Sequence, residues 1–312
     1  AINNSIITND ENSVTVFYPS EAIQFDWSDH LYGINPNFID ESNEDFHLSD
    51  YSAAIGFGVS AGIHTTDLGG NPRPNPVGSN PDLGAYENVL ATPAYVPQLI
   101  NVPADYSSIQ AALTAAGTND TVLVQPGTYT ENIIWPETNG IKLISAGDSS
   151  NTIIDGGGLS SVIYMNPQTA TIDTTTLIQG FQITNGGNSE WENGGGLLIK
   201  NSGIKITNCL ISNNTANLYG GGVYLENSLS TFRNSRIFAN HATISNFQQG
   251  GAGLFAKTST VLMEMVIVEN NISFGPEGNA GGIYSFESNM DFKNVNIVNN
   301  QADEYGGGIV LN

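Results

Sequence analysis

Residues 194–214 read GGGLLIKNSGIKITNCLISNN, and three later stretches repeat their plan: GGGVYLENSLSTFRNSRIFAN at 220–240, GAGLFAKTSTVLMEMVIVENN at 251–271 and AGGIYSFESNMDFKNVNIVNN at 280–300. In each, a glycine cluster runs into an aliphatic residue (Leu197, Val223, Leu254, Ile283), and the cluster returns once more before Ile309. Seventeen residues beyond that aliphatic stands an asparagine, Asn214, Asn240, Asn271 or Asn300, with Ile211, Ile237, Val268 or Ile297 three residues before it. The glycine element advances by 26, 31, 29 and 26 residues, so all length variation falls between an asparagine and the next glycine cluster. A constant stretch joined to a variable one is the pattern of a solenoid coil with one free edge. Within the constant stretch apolar residues alternate with period two, which makes it strand rather than helix.

Stacked coils ~4.8 Å apart explain the unusual composition. Asparagine, present 38 times, tolerates the left-handed turn conformation, and its amides can bond along a stack. The expectation is therefore that Asn214, Asn240, Asn271 and Asn300 form one ladder at a left-handed turn. The column headed by Leu197 points inward, and Cys209, two residues before Ile211, packs beside it as a small apolar residue. The column one residue later, Leu198, Tyr224, Phe255, Tyr284 and Val310, faces outward, with its stacking read as structural.

These paired elements resemble the repeats of polymorphic outer-membrane-type adhesins across roughly residues 178–312. Residues 98–158 (INVPADYSSIQAALTAAGTNDTVLVQPGTYTENI, then IKLISAG and TIIDGGG) are similar to the start of pectate-lyase-like β-helices. The first ninety residues, with INPNFIDESNEDFHLSDYSAAIGFG and TDLGGNPRPNPVGSNPDLGAYE, resemble the terminal coils of secreted bacterial β-helix proteins that carry a separate sorting or anchoring segment. Together these resemblances imply an all-β, right-handed parallel β-helix located outside the cell or on a bacterial surface. The division is residues 1–88 as closing coils of a first helix, 89–97 as linker, and 98–312 as cap and coils of a second, with about eight coils, roughly 40 Å long at that coil spacing. A short helix with Ser107 and Gln110 as a capping box, Ile109, Ala112, Leu113 and Ala116 on its apolar stripe and Gly117 as its C-terminal stop covers the core, and Thr121–Val124 opens the first coil. The chain begins and ends in mid-coil. It is expected to be cut from a longer polypeptide, or to stack on other copies or adjoining segments through its open ends.

Thirty acids against eight bases give a net charge of −22, which excludes a nucleic-acid backbone binder. No apolar run is long enough for a transmembrane helix. Polysaccharide lyases of this fold need an exposed Lys or Arg base and clustered acids for Ca²⁺. Lys200, Glu226 and Lys257 share one column, and Arg233, Glu264 and Lys293 another, as cross-strand charge ladders. Arg73, Lys142, Lys205 and Arg236 remain, with no acids aligned to them, and Arg73 is read as an anchor in its Gly/Pro-rich loop. Glu190 and Glu192 are the nearest carboxylate pair in sequence. His30, His47, His64 and His241 lack metal-ligand spacing. No cofactor is called for, though the acidic run Asp40, Glu41, Glu44 and Asp45 is a weak Ca²⁺ candidate.

If the molecule binds a ligand, the variable loops are the place, since each presents an aromatic: Trp191, Tyr219, Phe247, Phe274 and Tyr305. These either contact a glycan or surface protein, or tuck back over the coil edge as packing. The favoured function is a non-catalytic structural or adhesive surface protein. The alternatives are a carbohydrate-active β-helix, lyase or hydrolase, and a carbohydrate-binding module.

Overall fold

The structure, a computed structural model, describes residues 5–7, 30–32, 36–40, 43–60, 63–94, 96–187, 193–243, 250–275 and 279–312. The chain divides into two compact units, residues 1–97 and 98–312.

The second unit is a right-handed parallel β-helix of about six turns. Its first face holds seven strands, from Ile133–Ile134 to Ile309–Leu311; its second holds eight, from Leu99–Val102 to Asn289–Lys293; its third holds seven, from Gly127–Thr130 to Asn296–Val298. A fourth, narrower face of four strands, Thr215–Ala216, His241–Thr243, Ile272–Phe274 and Gln301–Ala302, exists only in the later coils. Every strand pair here is parallel and in register, so that Leu197, Val223, Leu254, Ile283 and Ile309 lie side by side.

The expected eight coils are too many. On the second face the register runs Thr121, Lys142, Leu177, Lys205, Thr231, Leu262, Asp291, which is six steps. The shortfall has a plain cause: residues before Thr121 are spent on an edge strand and a helix, and the coil from Lys142 to Leu177 is longer than the later repeats.

From Asn201 onward, each coil turns through three left-handed corners. Asn201, Asn227, Thr258 and Glu287 form the first; Asn208, Asn234, Met265 and Asn294 the second; Asn213, Ala239, Asn270 and Asn299 the third, all with φ between 45° and 56°. Asparagine dominates because its short amide best relieves the steric cost of that conformation. The ladder asparagines sit one residue after the third corner, so the expectation that they themselves are left-handed is corrected. They serve a different purpose. Asn214 Nδ2 donates to Asn240 Oδ1 at 3.0 Å, Asn240 to Asn271 at 2.9 Å and Asn271 to Asn300 at 2.9 Å. Each Nδ2 also donates to a backbone carbonyl, and each Oδ1 accepts the backbone N–H of the preceding ladder residue. Full satisfaction is what permits an amide to be wholly buried beside the core.

The glycine clusters have two separate reasons. Gly220 has φ +66°, whereas a Cβ on Gly222 would stand 2.6 Å from Gly253 O and 2.8 Å from Asn240 Nδ2. The first is a turn; the second is the gap into which the ladder fits. Leu197, Ile199, Ile204, Ile206 and Ile211 fill the interior of one coil, with Cys209 among them.

The open end of the core is covered by the helix Ile109–Ala115, which buries Ile109, Ala112 and Leu113. Its N-cap is Ser108, whose hydroxyl accepts from Ala111 N at 3.2 Å, one residue later than the expected Ser107. Gln110 is released from the capping box and pairs instead with the edge strand, its Oε1 accepting from Ile134 N at 2.7 Å and its Nε2 donating to Ile134 O at 3.0 Å. The free N–H groups of Ile109 and Gln110 go to the Glu131 carboxylate. Gly117 is not left-handed; its N–H donates to Asp120, and the helix ends in an extended Ala116. Leu99–Val102, ahead of the helix, pairs with Thr121–Val124, so the stack opens one strand earlier than expected.

In the first unit the strands Ser5–Ile7 and His30–Tyr32 are paired in parallel, 25 residues apart. Phe38–Asp40 and Asp45–Leu48 form an antiparallel pair. The described residues 49–60 and 63–94 are mostly turns and bends around a small core of Leu48, Ala54, Ile55 and Leu83. Among the described residues, no helix is long and apolar enough to cross a membrane.

Candidate functional site

The variable loops leave the fourth face and return through the glycine clusters, along one edge. Of the five aromatics expected there, Trp191 and Phe247 lie outside the described residues, as do Glu190 and Glu192. The other three divide. Tyr219 folds back and stacks on Phe255 at 4.8 Å and Tyr224 at 6.5 Å, half-buried. Phe274 is 45% exposed and lies 6.2 Å from the parallel ring of His241. Tyr305 is 65% exposed. The loops carrying these two are tied together, since Gly275 N donates to Asp303 Oδ2 at 2.9 Å. Phe274 and Tyr305 are therefore presented to solvent from successive loops, and Tyr219 is packing.

What Tyr219 packs on is the outward column. Leu198, Tyr224, Phe255 and Tyr284 point away from the main core yet are buried, forming a second apolar cluster. Tyr224 and Phe255 stack at 5.4 Å, Phe255 and Tyr284 at 5.4 Å. The glycine turn of each loop makes the cover possible: a Cβ on left-handed Gly251 would meet Phe255 Cβ and Tyr284 Cβ at 3.1 and 3.0 Å. Outward direction did not mean exposure here.

All eight lysines and arginines are described, and seven of them face a carboxylate or carbonyl. Glu226 receives Lys200 at 3.1 Å and Lys257 at 2.8 Å. Burial works against its charge, but the hydrogen bonds from Lys257 and Lys200 hold the carboxyl below its ordinary range. Arg233 meets Glu264 at 3.0 Å, whereas Lys293, in register with Glu264, turns 3.8 Å from Asp291. Of the four cations read as lacking aligned acids, Arg73 and Arg236 have them. Arg236 meets Glu269 at 2.6 Å and lies over the Phe238 ring. Lys142 donates to Asn119 O at 3.3 Å; burial lowers its pKa while the Asp120 charge opposes this. Burial works against the Asp173 charge, but hydrogen bonds from Thr175 and Asn139 outweigh it and hold the carboxyl below its ordinary range, with a smaller pull from the Lys205 charge. Arg73 Nε is 2.7 Å from Glu87 Oε1, and its Nη2 donates to Gly84 O. Arg236 escaped the column reading because its acid sits on the diagonal, one coil on and two residues along.

At the corner between the second and third faces runs an open groove of about 550 Å³, lined by Leu210, Arg236, Met265 and Ile267 with the 148–150 loop as one wall. Cys209 lies in its floor, and burial pushes the thiol up to about 11, so the sulfur is no nucleophile.

Of the Ca²⁺ candidates, Asp40 accepts from Asn43 Nδ2 at 2.6 Å and Asp45 pairs with His47 Nδ1 at 2.6 Å, while Glu41 lies outside the described residues. Among the described residues no three His, Cys, Asp or Glu side chains are grouped to hold a metal ion.

No protein-family model matches the chain, and neither the curated proteins nor the solved structures contain a significant match to it.

Proposed function

We propose that this chain is part of an extracellular structural or adhesive surface protein that binds a glycan or protein partner along its loop edge and does no chemistry there. The observation that carries this reading is how the functional groups are used. Seven of the eight cations are engaged with the protein's own acids or carbonyls, while the aromatics Phe274 and Tyr305 are exposed on the variable edge. A lyase base must reach a substrate proton, and a cation held in a rung-to-rung pair is poorly placed for that. Exposed rings on a rigid rod suit stacking on sugar faces or on a partner's apolar surface. Placement outside the cell rests on the resemblance of the repeats alone.

The test is a binding and turnover screen on uronate polymers and neutral glycans with Ca²⁺ present. The reading expects binding without turnover, weakened at least tenfold in Phe274→Ala or Tyr305→Ala while the unfolding midpoint stays put. Turnover abolished by Glu190→Gln, Glu192→Gln or Arg236→Met would establish the carbohydrate-active alternative instead.

A further inference from the structure

The first unit holds a buried polar knot that the loop-edge reading does not use. Asp67, Asp82 and Glu87 are all buried, in a stretch with almost no regular secondary structure. Glu87 Oε2 accepts the N–H of Asn75 at 2.9 Å, and Oε1 that of Asp82 at 3.1 Å. Asp67 Oδ2 accepts the N–H of Glu87 at 3.0 Å, and Oδ1 that of Asn71 at 2.7 Å. Asp82 spans the unit: Oδ1 accepts from Gly56 N at 2.7 Å and Oδ2 from Asn88 N at 2.6 Å. These three carboxylates take the place that strand ladders take in the second unit.

Three acids share one cation, and that cation is committed. Arg73 lies against Glu87 and donates to Gly84 O. Asp82, with no exposed surface, is left with one N–H on each oxygen and no counter-ion of its own. A buried anion so lightly compensated is costly, and the usual outcome is that it takes up a proton.

We propose that Asp82 is a proton-linked clasp: the folded unit binds a proton at this carboxyl on mild acidification and resists unfolding better when it does, because the proton removes a buried charge that the Gly56 and Asn88 N–H groups only partly offset. The charged groups facing it are Glu87, whose negative charge favours the proton, and Arg73, whose positive charge opposes it. Asp67 stands behind Glu87, and Asp50 behind Asn88 through the Asn88 side chain. Burial is the largest influence and carries Asp82 up to about 6, against the smaller pull of the Asn88 and Gly56 hydrogen bonds. Because the folded value lies above the unfolded one, the stabilisation is complete below the unfolded value and is lost as pH rises through about 6. Asp67 behaves oppositely. Burial raises it, but hydrogen bonds from Asn71 and Glu87 outweigh that and hold it low.

The experiment is a pH titration of the full chain by amide NMR, with Gly56 and Asn88 as reporters of Asp82, and Asn71 as reporter of Asp67. Gly56 and Asn88 should shift together with a midpoint near pH 6, and Asn71 should move only at lower pH, with a midpoint below the ordinary aspartate range. Hydrogen exchange through unfolding of the first unit, corrected for its intrinsic pH dependence, should be about tenfold slower at pH 5 than at pH 7.5. A common midpoint below pH 4.5, or exchange protection unchanged between pH 5 and 7.5, overturns the proposal. Both readouts use the unaltered protein, so no variant needs to fold.

Discussion

At the scale of single residues, the ladder asparagines carry more of the fold than their polarity suggests. Asn240 is fully buried and makes bonds to two neighbouring coils. Asn240→Ala would take the side-chain partner from the Ile211 carbonyl and from both Asn214 amide groups, and one of two donors from the Asn271 side-chain oxygen, at a cost of about 2–4 kcal/mol. Asn300→Ala should cost roughly half as much, because Asn300 holds bonds to one neighbouring coil. Denaturant midpoints of the two variants check both values, and equal losses would mean the ladder is not what stabilises the coils. Cys209 offers a second test. With its thiol raised to about 11 by burial, it should resist alkylation at pH 8 in the native chain and react at once in denaturant. Native labelling at the denatured rate would show that the corner breathes open.

At the scale of elements, the cap helix is held by side chains from the coils it covers. Glu131 takes the N–H groups of Ile109 and Gln110 at 2.9 and 2.8 Å. Glu131→Ala should lower stability by about 1–2 kcal/mol and speed exchange at Ile134, where Gln110 closes the strand edge. Glu226 links three coils through Lys200 and Lys257. Its removal as Glu226→Gln should cost only about 0.5–1 kcal/mol, and less in high salt. Since its folded value lies below the unfolded one, that contribution is present above about pH 4.5 and fades as pH falls further. A wild-type advantage that persists at pH 3 would contradict the pairing. The later coils were legible in the sequence because glycine cluster, aliphatic residue and asparagine keep a fixed spacing that a register cannot violate. The earlier coils were not, since long insertions such as 146–151 and 166–176 separate strands of three or four residues. The corner was misplaced by one residue because Asn213 and Asn214 are both asparagine, and because Ala239, of a type that rarely turns left-handed, holds the corner before Asn240. The Asp67–Asp82–Glu87 knot has no period at all, and residues twenty apart meet only through tight turns. On the loop edge, spacing located the loops but could not say that Tyr219 folds inward while Tyr305 does not, because that depends on what the rings meet.

At the scale of the whole second unit, the account stands or falls on stacking in register. Each coil adds ~4.8 Å, and the outward column of the second face counts them off: Thr121, Lys142, Leu177, Lys205, Thr231, Leu262, Asp291. Exposed aromatics, charge ladders and the asparagine line all inherit their positions from that count. The direct measurement is electron–electron distance spectroscopy in a Cys209→Ala background, with one spin label at Thr121 and a second at Thr231, Leu262 or Asp291. These pairs are four, five and six steps apart, so the mean distances should rise by a constant increment of ~4.8 Å, from about 19 to 24 to 29 Å before the label arms are added. Distances that fail to rise in that order, or that rise unevenly by more than one coil spacing, would contradict the β-helix and everything built on it.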